Sequence, residues 1–352
     1  MAQRNTRDII VIGASMGGVE ALSELVAQLP EDLPAAVCIV LHVAADHRSF
    51  LPEILTRIGP LRASHPQDHE PLLHGHIYVA PNDRHLLVEP GHVRVVKGPL
   101  ENGHRPAVDP LFRSAARAYG PRVVGVVLTG ALNCGTAGLL AVKNQGGLAV
   151  VQDPDDAACP DMPRSAMEYV EVDHSVPLRA MGALLGKLVR SPARMKRKRP
   201  VSRLLDQEVK VMAGHPEATN QPPAGGNPSH FACPDCGGVL FEMDDTGMLR
   251  YRCRVGHGYT AESLIHEQVT HVDSAMWAAV RALEENAALA RRLAAQARER
   301  EHLHSARRYE TRAETAEHQA RVLRGLAMRT ASVDAQLPSP VPAEDDVREK
   351  SG

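Results

Sequence analysis

Several things that would narrow function at once are scarce in this chain. Of its 352 residues one is Trp, six are Tyr and four are Phe, so few rings are present on which single-stranded bases could stack. The formal charge is −2, from 40 Lys and Arg against 42 Asp and Glu, which excludes a global field drawing nucleic acid or an anionic membrane. No apolar run approaches the roughly 20 residues of a membrane span, and no N-terminal apolar segment of the signal type is visible. The expectation is a soluble, cytoplasmic protein with no nucleic-acid partner and no membrane insertion. The six cysteines form no disulfide framework. Three of them lie near one histidine, which in a reducing compartment points to a metal before a disulfide.

What is present begins with Asp8-Ile-Ile-Val-Ile-Gly-Ala-Ser15-Met-Gly-Gly18. A β-branched run ending at Gly13 predicts a buried strand. Val19, Leu22, Leu25, Val26 and Leu29 then recur at helical spacing until Pro30 stops the helix. Ser15 therefore falls in a tight strand-to-helix turn, beyond the carboxyl end of a strand, where open α/β sheets bind ligands. A hydroxyl there is placed to attack, and the N–H groups of Met16 and Gly17 are candidate oxyanion donors. Two other readings compete: a phosphate-cradling loop of a dinucleotide fold, or a plain turn. The next strand, Ala35 to Leu41, ends in His42 rather than in the acidic residue a ribose would want. That favours a nucleophile with its base.

Along residues 8–190 strands, turns and helices alternate, which predicts a doubly wound α/β domain with a mostly parallel sheet. Strands at 76–80, 85–88 and 92–96 with hairpin-type turns suggest an antiparallel insert. Asp109 is placed to cap a helix over 109–118, with Pro110 at its first position. Arg122 to Leu128 is the most strand-like run and leads into Thr129-Gly-Ala-Leu-Asn-Cys-Gly135. Residues 191–229 predict a linker, with a basic run at Arg194-Met-Lys-Arg-Lys-Arg199 and a short helix from Ser202 to Met212. Cys233 and Cys236, then Cys253 and His257, have the C-x2-C and C-x3-H spacing of two zinc knuckles. Four protein ligands close a tetrahedral shell and leave no position for chemistry, so a structural zinc ribbon is expected over 230–259. Residues 260–328 are helix-forming, with a narrow Ala-rich stripe that suits a coiled-coil dimer, a hairpin turning near His302 to Ser305, or a helix packed on the ribbon. Residues 329–352 have the composition of a disordered tail.

Taken in order, Ile12-Gly-Ala-Ser-Met-Gly-Gly18, Leu41-His42, Ile77-Tyr-Val-Ala-Pro81, Asp83-Arg-His-Leu-Leu87, His104-Arg-Pro-Ala-Val-Asp109, Leu111-Phe-Arg-Ser114, Val126-Val-Leu-Thr-Gly130 and Met162-Pro-Arg164 resemble the catalytic domain of the CheB-type chemotaxis receptor methylesterases. The resemblance implies a protein-glutamate methylesterase, with glutamine deamidation as a second activity and no cofactor for catalysis. It implies Ser15 as nucleophile and His42 as base of a serine–histidine–aspartate triad. Where the family usually has its acid, just before Gly135, this chain has Cys134. A neutral thiol orients and stabilises an imidazolium poorly. The implied activity is thus impaired, with Asn133 and Asp153 as substitute orienting groups, Cys134 as a replacement nucleophile, or the protein as a regulatory adaptor. The receiver domain that precedes the family's catalytic domain is missing ahead of Asp8, which implies a stand-alone form with a zinc-ribbon and helical tail. The implied partner is a signalling protein carrying methylated glutamate, a chemoreceptor or sensor kinase, and the C-terminal helices suggest a homo-oligomer.

Overall fold

The computed structural model describes residues 6–42, 49–193, 200–219, 221–244 and 247–334. The basic run at 194–199 and the chain after 334, with most of the stretch expected to be disordered, lie outside the described residues. In chain order the first part comprises β1 (Ile9–Ala14), α1 (Gly18–Ala27), β2 (Ala36–Leu41), α2 (Leu51–Ile58), β3 (Arg62–Ser64), β4 (His76–Val79), β5 (His85–Glu89), β6 (His92–Val96), α3 (Val108–Tyr119), β7 (Val123–Val127), α4 (Thr136–Asn144), β8 (Leu148–Gln152), α5 (Asp161–Tyr169), β9 (His174–Val176) and α6 (Leu178–Arg190).

Seven of these strands form one parallel sheet in the order β3-β4-β2-β1-β7-β8-β9. β1 is buried along its whole length, and its side chains alternate between two cores. Ile10 and Ile12 join Leu22, Leu55 and Leu185 from α1, α2 and α6 on one face. Ile9 and Val11 join Phe112, Leu139 and Met162 from α3, α4 and α5 on the other. Helices thus cover both faces, as the near-continuous apolar strands require. The chain leaves β1 toward β2 on one side and returns as β7 on the other, so the switch point of the sheet lies beside β1.

The expected antiparallel insert is smaller than its three segments suggested. β4 pairs in parallel with β2 and β3, and only β5 and β6 form the hairpin. Asp109 does not cap its own helix, whose N-cap is Ala107. Its carboxylate instead accepts the N–H groups of Gly135 at 3.0 Å and Gly138 at 2.6 Å, at the start of α4.

Past the sheet come α7 (Arg203–Met212), α8 (Pro216–Thr219), β10 (Asn227–Ala232), β11 (Val239–Asp244), β12 (Leu249–Cys253) and β13 (Gly258–Thr260). Ser202 caps α7 by accepting the Leu205 N–H at 3.1 Å. The four strands form an antiparallel sheet in sequence order around a core of Leu240, Tyr251, Tyr259 and Leu264. Then follow α9 (Ala261–Glu299) and α10 (Leu303–Asp334). The chain divides into two compact units, ending and beginning at Ile265 and His266. Within the second unit α9 and α10 make a helical hairpin. Arg291 meets Glu317 at 2.6 Å and Arg312 meets Asn286 at 3.1 Å. Ala287, Ala290, Ala294 and Ala297 are buried, as are Ala306, Ala313, Ala316 and Ala320.

Candidate functional site at the ends of three strands

Ser15 follows β1, His42 follows β2, and Cys134 lies in the loop after β7, so all three stand at the carboxyl end of the sheet beside its switch point. The Ser15 turn is tightly held. Its N–H donates to the Thr129 carbonyl at 3.0 Å, and its own carbonyl accepts the Gly18 N–H at 2.9 Å. The Thr129 hydroxyl donates to the Met16 carbonyl at 2.9 Å and accepts the Cys159 N–H at 2.8 Å. Gly17 has φ of 72°, a conformation that costs a side-chain-bearing residue about 1 kcal/mol or more. At Gly130 a Cβ would lie 2.8 Å from Ser15 Cβ and 2.1 Å from Met162 Sδ, so glycine there leaves the Ser15 turn its room. Among the described residues the N–H groups of Met16 and Gly17 have no acceptor, as expected at a helix N-terminus.

His42 lies partly exposed, stacked on His104 with ring centroids 3.9 Å apart. Burial, and then repulsion from His104, hold its pKa well below the ordinary 6.5. It is neutral at neutral pH, as a general base must be. His42 Nε2 lies 3.3 Å from Cys134 Sγ. Cys134 is 3% exposed, and its thiol donates to Asp109 Oδ2 at 3.6 Å. Burial first, then the Asp109 carboxylate, push this thiol well above its usual range. A buried, protonated thiol is not an activated nucleophile.

The family profile described as CheB methylesterase matches residues 10–185, half of the chain. The chain belongs to this family. Among curated relatives, a "Protein-glutamate methylesterase/protein-glutamine glutaminase 2" of Anaeromyxobacter dehalogenans is 37% identical over 183 residues, covering 52% of this chain and 54% of that one. A "Putative protein-glutamate methylesterase/protein-glutamine glutaminase" of Leptospira interrogans is 36% identical over 182 residues, covering 51% of this chain and 94% of the relative. The crystal structure of the Thermotoga maritima CheB methylesterase catalytic domain is similar with a TM-score of 0.50 at 32% identity, covering 52% of this chain and 98% of that one. Against the Anaeromyxobacter relative and a second one from Rhizobium johnstonii, the chain spans about half of the relative's length.

Among the described residues, neither substitute orienting group is hydrogen-bonded to His42. The Asn133 amide is engaged at both ends, donating to Glu262 Oε2 at 2.7 Å and accepting the Thr260 hydroxyl at 2.8 Å. The Asp153 carboxylate accepts the Asp155 N–H at 3.0 Å. Two residues of the site escaped sequence reasoning, Thr129 and His104. Both lie in segments that resemble the family, but only the fold brings them against Met16 and His42.

The ribbon carries a second constellation. Its donor atoms, from Cys233, Cys236, Cys253 and His257, all lie within 4.8 Å of one another. The Cys236 and Cys253 sulfurs are 3.8 Å apart, and Cys233 and Cys253 Sγ each lie 3.6 Å from His257 Nδ1. A tetrahedral shell with Zn–S of about 2.3 Å and Zn–N of about 2.0 Å needs S···S of about 3.8 Å and S···N of about 3.5 Å. The geometry fits zinc. Gly237 and Gly256, at φ of 70° and 112°, turn the chain so that their N–H groups meet the Cys233 and Cys253 carbonyls at 2.8 and 3.0 Å.

A buried ionic cluster joins the ribbon to the parallel-sheet region. Arg252 donates to Glu101 at 2.9 Å and to Glu208 at 2.9 Å, Arg250 donates to Glu208 at 2.8 Å, and Arg113 meets Glu101 at 2.8 Å. Burial works against the Glu101 charge, but Arg113 and Arg252 outweigh it and keep its carboxyl below the usual range. Breaking one member would strand a buried charge.

Proposed function

We propose that this chain is a carboxyl-ester hydrolase of the protein-glutamate methylesterase type, with a protein-glutamine deamidase activity on the same machinery. What supports this reading above all is the contact of His42 with Cys134 at 3.3 Å, next to the Ser15 turn, in a chain of this family. Ser15 Oγ attacks the side-chain carbonyl of a methylated glutamate while His42 takes its proton. The oxyanion faces the N–H groups of Met16 and Gly17. Methanol leaves with the proton from His42, or ammonia when the substrate is glutamine, and water then hydrolyses the acyl-enzyme. Because His42 Nε2 faces Cys134, Nδ1 is the nitrogen for this proton. The Cys134 thiol, donating to Asp109, turns its sulfur lone pairs toward the His42 Nε2–H and so selects that tautomer. A neutral sulfur stabilises the imidazolium less than a carboxylate does, so turnover is low.

The partner in this reading is a signalling protein bearing methylated glutamate, a chemoreceptor or sensor kinase, in the cytoplasm. None of the described helices is long and apolar enough to cross a membrane. Cys233, Cys236, Cys253 and His257 hold a structural zinc, with no role in the chemistry. A homo-oligomer through the C-terminal helices is least served, because the hairpin already buries its own alanine seam. A second reading, a regulatory adaptor that binds the same target without turnover, is favoured by the loss of the triad acid at Cys134.

A serine-directed phosphonate tests the assignment. Ser15 should be the one residue phosphonylated, and Ser15→Ala should remove both labelling and at least about 10³-fold of the hydrolysis of a chromogenic ester. Labelling that persists in Ser15→Ala places the nucleophile elsewhere.

A further inference from the structure

Thr260 closes β13 and stands where the ribbon passes into α9. Its hydroxyl donates to Asn133 Oδ1 at 2.8 Å, and its N–H donates to Asn102 Oδ1 at 2.9 Å. Ser263 Oγ donates to the same Asn102 oxygen at 2.6 Å. Glu262, exposed, takes the other end of the Asn133 amide at 2.7 Å. Two links therefore run from Cys134 to the tail. Asn133 is its chain neighbour, and Asn102 Nδ2 donates at 3.2 Å to Asp109 Oδ2, the atom the Cys134 thiol faces. Thr260, Ser263, Asn102 and Asn133 are all buried, where a hydrogen bond lost is not replaced by water.

The loop they hold needs holding. Leu132, next to Asn133, has φ of 60°, a left-handed conformation that persists in a leucine only when its surroundings impose it. The restraint has a firm base. The Asn102 N–H donates to the Gly258 carbonyl at 2.8 Å, beside the buried Glu101–Arg252 pair.

We infer that Thr260 and Glu262 are positioning residues for the catalytic loop, so that the junction of ribbon and α9 sets Cys134 against His42. The inference rests on the esterase reading and adds to it a requirement for the tail. In the full chain, Thr260→Val and Glu262→Ala should lower kcat for a chromogenic ester about tenfold, the loss expected from a slightly misplaced catalytic group, with KM little changed. Amide hydrogen exchange should rise over residues 130–136 and stay unchanged in β1 and β7. Thr260→Ser, which keeps the hydroxyl, should restore both. Glu262 is exposed, so its variant folds even if Thr260→Val does not. Wild-type kcat together with wild-type exchange at 130–136 in Glu262→Ala and in a folded Thr260→Val would overturn the inference. If no ester hydrolysis depends on Ser15, the esterase reading fails by itself, and exchange over 130–136 still decides whether the tail restrains the loop.

Discussion

The strand-end site and the ribbon both set cysteine against histidine at nearly the same distance, 3.3 Å for Cys134 and His42 and 3.6 Å for Cys233 or Cys253 and His257. Their surroundings make them different chemistry. Cys134 is a single sulfur, buried, with the Asp109 carboxylate on its far side, so the proton stays on the thiol. In the ribbon three sulfurs converge on one ring nitrogen, and their negative charge can be met by a cation. Among the described residues this is the only group of three or more such donors within reach of one metal. Donor number and nearby charge, not the Cys–His distance, separate a hydrogen-bonding pair from a group that could hold a metal ion.

Removing the metal should break the comparison most sharply. The ribbon's core is a handful of residues around Leu240 and Tyr251, too small to fold on apolar burial alone. Structural zinc supplies on the order of 10 kcal/mol to such a domain. A strong chelator should extract one zinc per chain, and amide exchange should then rise across β10 to β13 while β1, β2 and β7 stay protected. A ribbon that releases no zinc to the chelator and keeps its protection would show that these three cysteines and His257 hold no structural metal.

Exchanging the thiol sharpens the other half. Cys134→Asp would place a carboxylate on His42 and recover much of what a triad acid supplies, a contribution of about 10⁴ in the serine-protease case. The gain here should be nearer 10², because Asp109 lies behind position 134 and two adjacent carboxylates resist ionising together. Steady-state kinetics on the chromogenic ester would measure it. No gain, with Ser15 unreactive to phosphonate in both proteins, would favour the adaptor.

The difference between the two regions also governs what was legible beforehand. Cys233, Cys236, Cys253 and His257 fall in two short sequence runs, so spacing alone brings the candidate metal set into view, and the Ser15 turn is visible because a strand and a helix meet there within a few residues. Asp109 reads in the sequence as the cap of its own helix, and that expectation fails, because only packing shows that its carboxylate meets the start of α4. β3 and β9 have three residues each, too few for any periodicity. Nothing in the sequence singles out Arg113, Glu208, Arg250 and Arg252 as a cluster, because each finds its partners on other elements. The clamp on Asn133 was hidden for the same reason, since its contacts span more than a hundred residues.

The smallest effect concerns the charge beside the base. His42 is held neutral first by burial and then by the ring of His104, which disfavours a second positive charge 3.9 Å away. A base with a lowered pKa stays deprotonated to lower pH, so the acid limb of kcat/KM should lie below the ordinary histidine value of 6.5. Linkage gives the same sign for stability. The unfolded chain takes up the His42 proton first, so this group's contribution is complete above pH 6.5 and erodes as pH falls from there toward the folded pKa. Cys134→Asp should move the acid limb upward by about one unit, because an adjacent carboxylate favours the imidazolium. His104→Phe keeps a ring to stack on His42 and removes the repulsion, so it should raise the limb by a fraction of a unit. A limb that stays in place in His104→Phe would mean that burial alone sets the base. A limb that moves down would mean that the two rings share a proton, and His104 would then belong to the catalytic apparatus.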